Sequence, residues 1–280
     1  MGCKKRMKNN TPETRADLIR HGKPVHALGL TFYPVLVDDY EIYIDCADAL
    51  KLRLASLPVR YTTLDFTSAL FAVEIDRVKV DESVGGAFYR FIRLLYLSLR
   101  IVYELSEVMG TILVRREEDH IRLAGLRVTQ NGKTVTLSPS ELSFEVRQLI
   151  AEQNGAELPD ESVNIDLVRD YEELKKMNAQ KEPQLNVSMP DLIASVAYLS
   201  HLRETDIYGW TVAEFERRVR AIDRDKLYMI YATAESSGFV TFKSGNPVPS
   251  WRYDPKDNNI FGTVSGKDME AKLNGVQAKQ

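Results

Sequence analysis

A chain of 280 residues with 44% hydrophobic and 28% charged side chains has the composition of a globular protein, long enough for one large core or two modest ones. Its formal net charge of −3 argues against a general polyanion binder. Two cysteines, Cys3 and Cys46, and four scattered histidines supply neither a disulfide framework nor a zinc spacing, and this usage fits a reducing cytoplasm.

The chain opens Met1-Gly2-Cys3-Lys4-Lys5-Arg6, which suggests lipidation, but the myristoylation pattern fails at Arg6, where it needs Ser or Thr. No apolar core follows within the length of a secretory signal. Residues 1–24 are polar and basic and are expected to form a disordered tail. Leu30 to Val37 and Tyr40 to Ile44 are β-rich runs around Asp38-Asp39, the pattern of a hairpin. Leu50, Leu52 and Leu54 alternate with Lys51 and Arg53 in a strand-like way until Pro58 breaks the element. Leu64 to Ile75 reads as a helix.

Phe88 to Leu105, FYRFIRLLYLSLRIVYEL, is nearly continuous in apolar residues over the length of one helix. Arg90, Arg93 and Arg100 interrupt it, and each would cost about 3 kcal/mol at a bilayer centre. A helix inside a soluble domain, with its arginines toward solvent or acids, is the better reading. Ile112 to Arg116 and Ile121 to Leu137 are expected strands, with Asn131-Gly132 as a two-residue hairpin turn. Ser138-Pro139-Ser140-Glu141 has the form of a helix start: cap, proline at the first helical position, glutamate at the third. Gly155 should close that helix.

Residues 156–187 are acidic, then lysine-rich, and carry Pro159 and Pro183, so they are expected to link two domains, with a short helix around Val163 to Met177. A second helical block opens with Asp191 capping Leu192 to His201. Thr211 and Glu214 form a capping box, and Val212, Phe215, Val219 and Ile222 repeat at 3-4-3 spacing as one apolar seam. Gly238 should stop the helix, Phe239 to Phe242 follow as a strand, and a turn at Asn246-Pro247 leads to Trp251. The fold class expected is α+β, predominantly helical with small antiparallel hairpins. The expected domains are 25–155 (α+β) and 188–254 (helical), with a frayed tail over 255–280.

The search for chemistry is negative. There is no G-x-S-x-G elbow, no phosphate-cradling glycine loop, and no cofactor motif. His21 lies in the expected tail, His26 just before the first strand, His120 in an expected hairpin turn after Glu117-Glu118-Asp119, and His201 at a helix end, where the helix dipole favours a cation. Asp38-Asp39, Glu117-Glu118-Asp119 and Glu172-Glu173 fall in expected turns or exposed helices, where adjacent acids do not converge on a metal. Arg217, Arg218, Arg220 and Arg224, with Tyr228 and Tyr231, form the best nucleic-acid candidate, but Glu214, Glu216, Asp223 and Asp225 dilute it.

Three stretches nevertheless look familiar together. LTFYPVLVDDYEIYIDCADALKLRLASLPVRYTTLDFTSALFAVEID at 30–76, QNGKTVTLSPSELSFEVRQLIAEQNGAELPD at 130–160, and LIASVAYLSHLRETDIYGWTVAEFERRVRAIDRDKLYMIYATAESSGFVTFKSGNPVPSW at 192–251 resemble proteins encoded among the tail genes of phages and prophages of Gram-positive bacteria. The likeness is to tail assembly chaperones. It implies a non-enzymatic protein of the host cytoplasm that keeps amphipathic helical segments of the tape-measure protein soluble. The alternatives are a structural component of the tail or baseplate, and a host-directed nucleic-acid-binding regulator. The residues expected to carry a protein contact are Phe88, Phe91 and Leu95 in the first block and Tyr208, Trp210 and Phe215 in the second, because buried aromatics dominate interfaces. Self-association is a further expectation. No metal or cofactor is implied.

Overall fold

The computed structural model describes residues 13–77, 84–117, 120–161, 187–238, 242 and 246–252. The expected helix at 163–177 and most of the expected linker around it lie outside the described residues, as do residues 239–241 of the expected strand, residues 1–12 of the expected amino-terminal tail and the whole expected tail over 255–280. The architecture is α+β and mostly helical, with a two-stranded hairpin and a three-stranded antiparallel sheet. Among the described residues no helix is long and apolar enough to cross a membrane.

The chain divides into two compact units. The first comprises residues 1–161 together with Tyr208–Glu214, and the second comprises Ser162–Ile207 and Phe215 onward. The first unit starts within the stretch expected to be a disordered tail. Helix α1 (Arg15–Arg20) forms there because Thr14 and Asp17 make a reciprocal capping box, a local signal that a charge-based reading overlooks. Strands β1 (Val25–Ala27) and β2 (Leu30–Phe32) then pair in register Val25↔Phe32, and Leu28 and Gly29 take the two positive φ values of the tight turn.

The hairpin expected at Asp38-Asp39 is replaced by a 3-10 turn, Val37–Asp39, running into helix α2 (Tyr40–Lys51). Tyr43, Cys46, Ala47, Ala49 and Leu50 are the buried positions, and Tyr43, Cys46, Ala47 and Leu50 among them follow the i, i+3, i+4, i+7 spacing of one helix face. The five-residue window Tyr40–Ile44 is too short to reveal that period, and its β-branched content favoured the wrong reading. The strand expected around Leu50 to Leu54 is likewise the end of α2 and a 3-10 turn, Leu54–Ser56. Arg147 explains why the helix can end there: its guanidinium donates to Leu50 O at 3.0 and 2.7 Å and to Leu52 O at 2.8 Å.

Helix α3 (Phe66–Ile75) is capped by the Asp65 carboxylate, which accepts from Ser68 N at 2.9 Å. Helix α4 (Ala87–Leu99) is the centre of the core: Phe88, Phe91, Ile92, Leu94, Leu95 and Leu99 are all essentially without solvent contact. It ends at Arg100 in the left-handed region (φ 54°), short of the expected Leu105, and a separate helix α5 (Leu105–Thr111) follows. Sheet strands β3 (Ile112–Glu117), β4 (His120–Gln130) and β5 (Lys133–Leu137) match the expected hairpin, with Asn131 and Gly132 at φ 52° and 76°. Ser138 caps α6 (Pro139–Glu141) as expected. A π-helical turn, Leu142–Val146, joins it to α7 (Arg147–Asn154), which Gly155 closes at φ 68°.

The extended segment Thr31–Val35 is fixed in the core by side-chain amides. Gln130 bonds Thr31 on both its N–H and C=O and also donates to Leu99 O, each at 2.8–2.9 Å. Gln153 donates to Phe32 O at 3.1 Å, and Asn154 accepts from Val35 N at 2.9 Å. Residues Tyr208–Glu214 complete this unit: Val37 N donates to Trp210 O at 2.9 Å, and Val212 N donates to Val35 O at 2.8 Å.

In the second unit α8 (Met189–Ser200) is capped by Ser188, three residues before the expected Asp191, whose own carboxylate accepts from Ser188 Oγ at 2.6 Å. A single turn, α9 (Glu204–Ile207), precedes α10 (Val212–Ser236), the longest helix described, whose residues up to Glu214 belong to the first unit and whose remainder from Phe215 belongs to the second. Its capping box is the expected one: Glu214 N donates to Thr211 Oγ1 at 3.2 Å and Thr211 N donates to Glu214 Oε2 at 3.0 Å.

Candidate protein-binding surface

Three of the residues expected to bind a partner belong to the interior. Phe88 packs edge-on against Phe71 at 5.2 Å between ring centroids, and Phe91 does the same with Phe66 at 6.1 Å. Leu95 is fully enclosed beside them in the same core cluster. This corrects the expectation for Phe88, Phe91 and Leu95: their apolar face is covered by the chain's own α2 and α3, so it has nothing left to offer a partner. Phe215 is also fully buried. Tyr208 and Trp210 keep part of their surface, Tyr208 at 37% and Trp210 half-buried, while their backbone carbonyls hold the Val37–Asp38 turn.

The exposed apolar surface lies further along α10. Beyond Phe215 the helix has no buried residue through Ser236, although it carries Val219, Ile222, Leu227, Met229 and Ile230. Met229 and Ile230 are more than half exposed, at 57% and 65%. At about 100° per residue they continue the line of Phe215, Val219 and Ile222. A helix of 25 residues is about 37 Å long, and in water its stability comes mainly from packing an apolar face. Here that face is buried only at Val212 and Phe215, in its first turn. The end of α8 adds Tyr198 and Leu199, exposed at 81% and 39%. The contact residues expected from the sequence do not include Met229 and Ile230, for which the run Leu227-Tyr228-Met229-Ile230-Tyr231 is the available signal: five adjacent apolar residues spread over too wide an arc for a single core face.

The first unit has a cleft of roughly 530 Å³ lined by polar groups including Asp65, Ser68, Arg115, Glu117 and Arg122. Its charges satisfy one another. Arg115 pairs with Glu117, Arg122 approaches the same carboxylate at 3.8 Å, and Asp65 is spent on Ser68 and Ser143. Among the described residues that line it there is no histidine to serve its hydroxyls as a base. Elsewhere, burial pushes the Cys46 thiol up and keeps it neutral, which removes its nucleophilic form. Burial lowers the Arg147 guanidinium to about 10, against the pull of Glu161 at 3.9 Å, and its ring-stacked contact with Phe66 at 3.6 Å marks it as a structural group. His26 bonds Thr31 Oγ1 at 2.9 Å, holding the first hairpin. Among the described residues no three His, Cys, Asp or Glu side chains converge as a metal site would require.

Comparison with protein-family models, with curated proteins and with solved structures gives no match to this chain.

Proposed function

We propose that the chain is a non-enzymatic assembly factor that captures amphipathic helical segments of another protein on the open face of α10. The observation that carries this reading is the run from Val219 to Ile230, an apolar stripe on a long helix with no buried residue beyond Phe215. Helix-on-helix docking through i, i+3, i+4 and i+7 anchors is the recognition mode that such a stripe serves. The self-neutralised cleft and the neutral buried thiol support a binding role over catalysis.

The resemblance of residues 30–76, 130–160 and 192–251 to phage tail-region proteins supplies the partner: the long helical tape-measure protein, held soluble in the host cytoplasm during tail assembly. Co-expression with the tape-measure protein tests it. A soluble complex that Met229→Asp with Ile230→Asp abolishes is the expected result, and no association with the unaltered chain rejects the proposal. Mass spectrometry of purified particles separates this role from that of a tail or baseplate component, because an assembly chaperone is absent from mature virions.

A further inference from the structure

The charges beside the open stripe specify what kind of helix fits it. On α10, Asp223 and Asp225 are both exposed, and at about 100° per residue they fall on opposite sides of the track from Val219 through Ile222 to Met229, each about 80° from its centre and about 40° from the nearest residue of the track. The acids therefore border the apolar track on both flanks. Glu216 lies on the Asp223 side and Arg218 on the Asp225 side, and both are already engaged in interactions of their own. Arg217, Arg220 and Arg224 project from the opposite face of the helix, away from any partner on the track. Lys226 sits in the track itself, between Ile222 and Met229, and is exposed. A lone charged residue in an apolar seam fixes register at some cost in affinity.

We infer that the preferred partner is an amphipathic helix whose apolar stripe is bordered by lysine or arginine, with one acidic residue within the stripe to meet Lys226. This inference rests on the reading of α10 as a helix-binding surface and adds the charge pattern of the ligand. Flanking charge pairs of this type set partner choice in paired helices, as the e and g positions do in coiled coils.

The test uses the full chain and two designed peptides of about 20 residues, long enough to fold on docking. Both carry the same leucine stripe with one glutamate in it. One has lysines on the flanks and the other has glutamates. Binding is followed by fluorescence anisotropy at low and high salt. The lysine-flanked peptide is expected to bind about three- to tenfold tighter, the yield of two or three exposed ion pairs, with the margin lost at high salt. The Asp223→Lys, Asp225→Lys double variant is expected to reverse the preference, with an unchanged far-ultraviolet circular dichroism spectrum as the check on folding. Equal affinities, or a preference for the glutamate-flanked peptide, overturn the charge rule while leaving helix capture intact. Failure of both peptides to bind the unaltered chain overturns helix capture and the charge rule together.

Discussion

Gln130 holds Thr31 as a neighbouring β-strand would, accepting from its N–H and donating to its C=O, both at 2.8 Å, across 99 residues of sequence. The same amide also reaches Leu99 O at 2.9 Å, so one side chain ties the end of β4 to the first hairpin and to the last turn of α4. Gln130→Ala leaves buried backbone groups without partners. It is expected to lower stability by about 2–4 kcal/mol, read from urea unfolding, because an orphaned buried group costs about 1–3 kcal/mol.

The core and the open stripe should respond in opposite ways. Phe91→Ala empties a fully enclosed site and is expected to cost about 3–5 kcal/mol. Met229→Asp with Ile230→Asp acts on exposed residues, so thermal unfolding should stay within about 0.5 kcal/mol of the parent while partner binding is lost. A large drop in stability of the double variant would place those residues in a core.

Gly125 lies where β4 runs against β5, and a Cβ there would meet Leu137 O at 2.7 Å. Backbone cannot step aside as a flexible side chain can. Gly125→Ala is expected to destabilise by about 1–3 kcal/mol through displaced strand pairing. Gly132, in open space at φ 76°, should lose only about 1 kcal/mol on the same change. Paired melting curves of the two variants check the ordering.

Acid should weaken the start of α6. The Ser138 backbone N–H, then its hydroxyl, bond the Glu141 carboxylate and hold it below the ordinary glutamate value of 4.5. A carboxyl lowered in the folded state stabilises above its unfolded value, and that contribution disappears as pH falls through the folded one. Glu141→Gln is expected to be about 0.5–1 kcal/mol less stable at pH 7, the usual size of a capping contact, and to converge with the parent in acid. Denaturant midpoints at pH 7 and pH 3 measure this.

Local devices were legible in the sequence. Asn131-Gly132, the Ser138–Glu141 box, Gly155 and the Thr211–Glu214 box each act within four residues, so their chemistry fixes the backbone wherever they occur. Helix α2 was not legible from Tyr40–Ile44, because five residues span less than two helical turns and Ile42 and Ile44 suit a strand equally well. Long-range ties such as Gln130 to Thr31 or Arg147 to Leu50 leave no mark in local pattern. The residues expected to carry a protein contact illustrate the deeper limit. Spacing shows that Phe88, Phe91 and Leu95 share an apolar face, but only the packing of α2 and α3 shows that this face is already occupied.

The docking of Tyr208–Glu214 onto Val35–Asp38 makes the first unit discontinuous in sequence. Its last piece is translated only after residues 162–207, so nascent chains must wait, incomplete, until Glu214 has cleared the ribosome. A fragment cut at Glu161 would leave the Val35 carbonyl and the Val37 amide without the Val212 and Trp210 backbone groups that satisfy them. Dissection into separately expressed halves must therefore keep the Tyr208–Glu214 strap with the amino-terminal body, by circular permutation or by a short engineered bridge in place of the intervening residues.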